Sequence, residues 1–108
     1  MKPTIPKENG PNGITSQVRQ VLRKMKIWHY KHYSGGKFGQ TGVADIIGCF
    51  HGRFLAIEVK RPGRVPTKNQ QKFLDNVNAA GGIAFVAYSA SEVYETLSSI
   101  ETEHSNAT

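Results

Sequence analysis

A single cysteine, Cys49, stands among 108 residues. One thiol cannot close an intramolecular disulfide, and it excludes a zinc cluster built on several cysteines. Cys49 falls in an apolar stretch, where a small buried side chain is the expected role. Long apolar runs are also missing, so no segment is expected to cross a bilayer. Met1–Gly13 is rich in Pro, Gly and Lys without an apolar centre; it does not read as a signal peptide, and an intracellular location is expected. Acids are scarce. Eight Asp and Glu stand against fourteen Lys and Arg, a net charge of +6. That excess favours a polyanionic partner, most commonly nucleic acid. The glycine-rich stretch Ser34–Gly42 lacks the G-K-[ST] of a P-loop, which argues against a small-molecule phosphate enzyme; it reads as a loop beside a binding site.

What is present is a regular alternation of elements. Val18, Val21, Leu22 and Met25 recur at helical spacing, predicting a helix over Thr15–Lys26. Ile27–Tyr33 is aromatic-rich and predicts a strand. Val43–Phe50 and Arg53–Lys60 predict two more, joined by His51-Gly52 as a two-residue hairpin turn. Thr67 and Gln70 have capping-box spacing at the head of a helix running to about Ala80, with Phe73, Leu74 and Val77 as its buried stripe and Gly81-Gly82 as its stop. Ile83–Tyr88 predicts a strand buried on both faces. A last helix begins near Ser89, with Glu92 in capping position and Val93, Leu97 and Ile100 on its apolar side. The third and fourth strands, joined by a helix, should lie parallel. The expected fold class is α/β, an αβββαβ(α) core with a mixed central sheet flanked by helices. Residues 1–13 read as a flexible arm, 14–100 as the domain and 101–108 as a flexible tail.

The hairpin has a chemical consequence. If His51 and Gly52 are the only loop residues, Phe50 pairs with Arg53 and, further along, Asp45 lies opposite Glu58. Facing carboxylates repel, so either one takes up a proton or a cation sits between them. Lys60, two residues beyond Glu58, shares its face, whereas Leu55, Ile57 and Val59 point to the other. Two acids and an ammonium suit phosphodiester hydrolysis. Oxygen ligands hold Mg²⁺, the metal activates water, and the lysine orients that water or stabilises the transition state. The bland alternative, a solvated Glu-Lys pair, is disfavoured because Glu58 interrupts the apolar run Phe54–Val59, and a buried acid needs a partner.

Asp45 followed by Glu58-Val59-Lys60 resembles the D…E-x-K signature of the PD-(D/E)XK nuclease superfamily. Gly42–Gly48, Gly52–Lys60, Pro66–Gln70 and Gly81-Gly82 are similar to the VRR-NUC family within it, over about residues 15–97. The resemblance implies a restriction-endonuclease-like fold and Mg²⁺- or Mn²⁺-dependent cleavage of DNA in a bacterial or phage-infected cell. It implies Asp45 and Glu58 as metal ligands, the Val59 carbonyl as a further ligand, Lys60 as the catalytic lysine, and Gln70 as an active-site glutamine. Capping alone accounts for Gln70 equally well, and Gln71 takes its place if the helix starts one residue later. Many relatives carry a glutamate on the first helix; Ile14–Arg19 here has no acid, and Gln17 stands in that region.

Lys37, Arg53, Arg61, Arg64, Lys68 and Lys72 are expected around the acids, where they would neutralise phosphates. Trp28, Tyr30 and Tyr33 could stack on bases, but core packing is the favoured role. With no recognition domain in view, cutting guided by DNA structure is expected, on branched or four-way junctions, by a homodimer as fold analogy suggests. The competing functions are a general DNA nuclease or exonuclease and a non-catalytic DNA-binding protein.

Overall fold

A computed structural model describes residues 6–10, 12–33 and 42–106. Helix α1 (Ile14–Lys24) buries Ile14, Val18 and Leu22, the stripe its periodicity announces. No side chain caps its N-terminus. The first free amides instead donate to the arm: Ile14 N–H to the Lys7 carbonyl at 2.7 Å and Thr15 N–H to the Glu8 carbonyl at 2.8 Å. The described part of the 1–13 arm is therefore tied to the domain. α1 stops two residues before Lys26, which adopts φ 60°. Ile27 N–H reaches the Leu22 carbonyl and Lys26 N–H the Arg23 carbonyl, a Schellman closure with lysine in the place glycine usually takes.

Four strands follow the expected order: β1 (His29–Lys31), β2 (Ile46–Phe50), β3 (Arg53–Val59) and β4 (Ile83–Ala87), side by side as β1-β2-β3-β4. β1, β2 and β3 are antiparallel; β3 and β4 are parallel, as their helical crossover requires. Phe50 pairs with Arg53, the register expected from the turn. His51 (φ 51°) and Gly52 (φ 77°) both take left-handed backbone, the requirement of the type I′ hairpin. Helix α2 (Lys68–Ala79) joins β3 to β4, and its capping box is complete: Thr67 N–H donates to Gln70 Oε1 at 2.8 Å and Gln70 N–H to Thr67 Oγ1 at 3.2 Å. Asn78 on α2 clamps β4, exchanging hydrogen bonds of 2.9 Å with both the N–H and the carbonyl of Ala84.

Strand alternation splits the core in two. Ile46, Phe50, Leu55, Ile57, Val59, Ile83 and Ala87 pack under α1 and the last helix, α3 (Ala90–Asn106). Ile47, Ala56 and Ala84 pack with Leu74, Phe73 and Val77 of α2 on the opposite face. Several expectations need correction. β1 and β2 are shorter than predicted, because Val43–Asp45 leaves the ladder. α3 extends to Asn106, past the Ile100 at which its apolar side ends. Cys49 is exposed, not buried. So are Trp28 (67%), Tyr30 (45%) and Tyr33 (71%), which overturns their assignment to the core. α2 packs chiefly on β3 and β4 and reaches Ile47 of β2, while Tyr30 of β1 stays exposed beside it. Among the described residues no helix is long and apolar enough to cross a membrane.

Candidate active site

The end of β3 carries the chemistry. Leu55, Ile57 and Val59 are inside the α1/α3 core, so alternation turns Glu58 to the α2 face. Glu58 is 2% exposed. Lys60 Nζ lies 3.7 Å from its Oε1, with the lysine side chain itself only 15% exposed. Oε2 is buried and meets no hydrogen-bond partner among the described residues.

Asp45 reaches the same place by a different route from the one expected. The β2–β3 ladder ends at Ile46 and Ile57, and Asp45 sits in a bend beyond it. Its Oδ2 accepts the Val59 N–H at 2.8 Å, a donor that a continued ladder would give to Ala44. Its carbonyl accepts the His32 N–H at 2.7 Å, which fixes the bend from the other side. Asp45 thus breaks the strand and caps the break. Gly42 (φ 83°) positions the approach: a Cβ there would lie 2.8 Å from the Asn69 carbonyl, so only glycine lets this segment pass against the first turn of α2.

These neighbours decide the charge on Glu58. Burial first, then the charge of Asp45 and the hydrogen bond that a protonated Glu58 shares with it, push its carboxyl up to about 8; Lys60 opposes them, and Glu8 adds to them. Of the two outcomes open to facing carboxylates, a proton is the one these side chains favour by themselves. A divalent cation would reverse that preference. Among the described residues no three His, Cys, Asp or Glu side chains gather as a metal cluster. Two carboxylates nevertheless suffice for Mg²⁺, which keeps several waters and takes one or two carboxylates with phosphate oxygens. The orphaned Glu58 Oε2 beside Asp45 fits that donor set.

Lys60 also lines a cleft of ≈520 Å³ with Lys7, Glu8, Asn9, Arg61, Arg64, Val65 and Thr67. Its wall is a type II turn, Arg61-Pro62-Gly63-Arg64, closed by Arg64 N–H on the Arg61 carbonyl at 3.1 Å with Gly63 at φ 89°. Tyr88 Oη donates to the Arg64 carbonyl at 2.9 Å and pins the turn to the domain. Glu8 accepts the Arg61 N–H at 3.1 Å. No motif marks Glu8; only the folding back of the arm brings it here.

The remaining expected residues divide. Arg61 and Arg64 are at the site, and Lys68, exposed, follows Thr67 at the cleft rim. Lys72 is exposed one turn further along α2. Arg53 is not at the site. It begins β3, five residues and roughly 17 Å from Glu58, and its guanidinium holds the carbonyls of Gly81 and Gly82 at 2.9 and 3.2 Å. A cleft of ≈620 Å³ at that end, between Phe54, Phe73 and Val77, has no carboxylate in its lining. Gln70 Oε1 is occupied by the capping box, Gln71 Nε2 donates to Asp75 at 2.9 Å, and Gln17 Nε2 to the Asn12 carbonyl at 3.2 Å. Lys37 lies outside the described residues.

Compared with known proteins, the chain matches no family model and no curated protein.

Proposed function

We propose that the protein is a metal-dependent hydrolase of DNA phosphodiester bonds, built on a restriction-endonuclease-like core, with Asp45, Glu58 and Lys60 as its working centre. One observation carries this reading. Glu58 is almost wholly buried, its Oε2 is unpartnered among the described residues, and Asp45 and Lys60 flank it. An apolar side chain would fill that position at lower cost to stability. A carboxylate pair held there makes chemical sense when a cation and a phosphate complete it.

Asp45 and Glu58 would hold the ion, with the Val59 carbonyl as the backbone ligand that the D…E-x-K resemblance implies. Bound Mg²⁺ or Mn²⁺ supplies Lewis acidity, acidifying water and neutralising charge on phosphate. Lys60 presents its ammonium to a phosphate oxygen and orients the attacking water. Arg61 and Arg64 grip neighbouring phosphates from the type II turn, and the α2 N-terminus adds backbone donors. The preference for branched or four-way DNA, and the homodimer that would handle it, belong to the proposal through resemblance. A non-catalytic DNA-binding protein is the second reading. It draws support from the structural work of Asp45 Oδ2 and Gln70 Oε1, each already hydrogen-bonded within the fold.

The deciding experiment compares wild type with Lys60→Ala on linear, flapped and four-way DNA, with Mg²⁺ and with chelator. Cutting should require metal and fall by on the order of 10²–10³ in the variant, the loss typical of one charge-stabilising donor, while binding survives. Equal cutting by both proteins overturns the role of Lys60; no cutting by wild type on any substrate leaves the binding protein.

A further inference from the structure

The face that carries the acids does not end with them. Cross-strand pairing places Tyr30, Ile47, Ala56 and Ala84 in one row. Glu58 stands one row on, two residues or roughly 6.7 Å along β3 from Ala56, with Asp45 in the bend beside it. Trp28, one step further from the acids, meets Tyr30 edge to face with ring centroids 5.7 Å apart. Both rings are open to solvent, whereas Ile47 and Ala56 on the same face are buried with α2.

The charge of the chain segment that carries them is one-sided. From Asn9 to Ala44 the chain has six Lys and Arg and no Asp or Glu, and the remainder has eight of each sign. The whole net charge therefore belongs to the segment that contains α1 and β1. Arg19, Arg23 and Lys31 line a small cleft with Tyr33 on the α1 side of β1, so the basic groups lie round the edge of that strand from Trp28 and Tyr30. Exposed aromatics on one side of an edge strand, with basic side chains round its edge, combine the two elements of single-strand binding, stacking platforms and a track for phosphates. A second copy of the chain is the competing occupant. Trp28, Tyr30 and Phe54, each about half to two-thirds exposed, offer roughly 300–400 Å², short of the roughly 800 Å² per partner of a stable dimer.

We infer that Trp28 and Tyr30 stack the bases of a single-stranded DNA segment whose phosphates run along the Arg19–Arg23–Lys31 edge, leading that strand toward Asp45 and Glu58. The inference rests on the nuclease reading for its direction and narrows the substrate to DNA with a single-stranded arm. Stacking at Trp28 is independent of metal and of cutting.

Trp28 is the only tryptophan, so its fluorescence reports on this face alone. The full-length protein is titrated in chelator with a twelve-nucleotide oligo-dT, a blunt duplex of equal length and a matched RNA strand, with anisotropy of labelled strands in parallel. Oligo-dT should quench Trp28 and bind at least tenfold more tightly than the duplex. Trp28→Ala and Tyr30→Ala should each weaken the single strand by about 5- to 150-fold, leave duplex binding and the melting curve unchanged, and Trp28→Phe should restore most of the loss. Binding without quenching, equal affinity for duplex, or tighter binding of the RNA strand overturns the inference. So does a Trp28 already shielded from iodide at micromolar protein and exposed on dilution, which gives the face to a second copy. Selective binding without any cutting in Mg²⁺ would sink the nuclease reading alone; metal-dependent cutting of flapped DNA indifferent to both alanine variants would sink this inference alone.

Discussion

The two faces of the sheet are built from alternate residues of the same strands, yet they are opposites. Under α1 and α3, Ile46, Leu55, Ile57 and Val59 are sealed at 0–1% exposure with no ionisable group among them. On the α2 side the same strands offer Ile47 and Ala56, with a buried glutamate toward one end and open aromatics toward the other. One face takes two helices and the other a single helix, α2, which packs chiefly on β3 and β4. The difference separates stability from chemistry: the closed face holds the fold, which leaves the other free to keep groups that the fold alone would reject.

The comparison can be broken most forcefully on the closed face. Leu55→Ala should cost about 2–5 kcal/mol in a denaturant melt, because 0% exposure gives the cavity nothing to collapse into. A loss under about 1 kcal/mol, below the usual range for such a truncation, would mean that this face is not the stabilising one.

The open face should answer in the opposite direction. Between the ordinary carboxylate value of 4.5 and about 8, folded Glu58 holds a proton that the unfolded chain has released. The native state then binds more protons, so metal-free stability falls as pH rises through that window and levels off above it. Glu58→Gln should therefore stabilise the protein in chelator at about pH 8, on the order of 1–3 kcal/mol, with the gain disappearing below pH 4.5 in thermal melts. Mg²⁺ or Mn²⁺ should raise the wild-type melting temperature and not that of the glutamine variant. A Glu58→Gln variant less stable than wild type under the same metal-free alkaline conditions would place Glu58 among the stabilising residues and erase the contrast between the faces.

Two smaller effects sharpen the boundary between them. Thr67→Ala removes the α2 cap and should cost about 1 kcal/mol, together with a rise in amide exchange of the first turn. Lys26→Gly relieves a left-handed lysine at the α1 stop and should add about 0.5 kcal/mol, read as a higher denaturation midpoint with unchanged slope.

Much of the fold was legible because it rests on local rules. The two-residue turn set the hairpin register, Thr67 and Gln70 marked a capping box that is present in full, and Gly81-Gly82 ended α2 where expected. The pairing of Glu58 with Lys60 followed from the pleat alone. Other features were hidden because they depend on what covers what. The exposure of Cys49, Trp28 and Tyr30 depends on how far α2 reaches across the sheet, and apolar composition says nothing about that. Arg53 was misplaced because nearness in sequence to a hairpin does not say which end of it holds the acids. Glu8 was missed because the arm folds back through carbonyl groups that every residue possesses.

Periodicity, turn chemistry and capping are properties of a few neighbouring residues, so the chain by itself determined its elements, their order, the hairpin register and the shared face of Glu58 and Lys60. Packing decided the rest. Asp45 came to the site by leaving its strand and taking the Val59 N–H, Glu58 gained its raised affinity for a proton through burial, and Trp28 and Tyr30 stayed exposed, since each of these depends on distances between segments that no local pattern encodes.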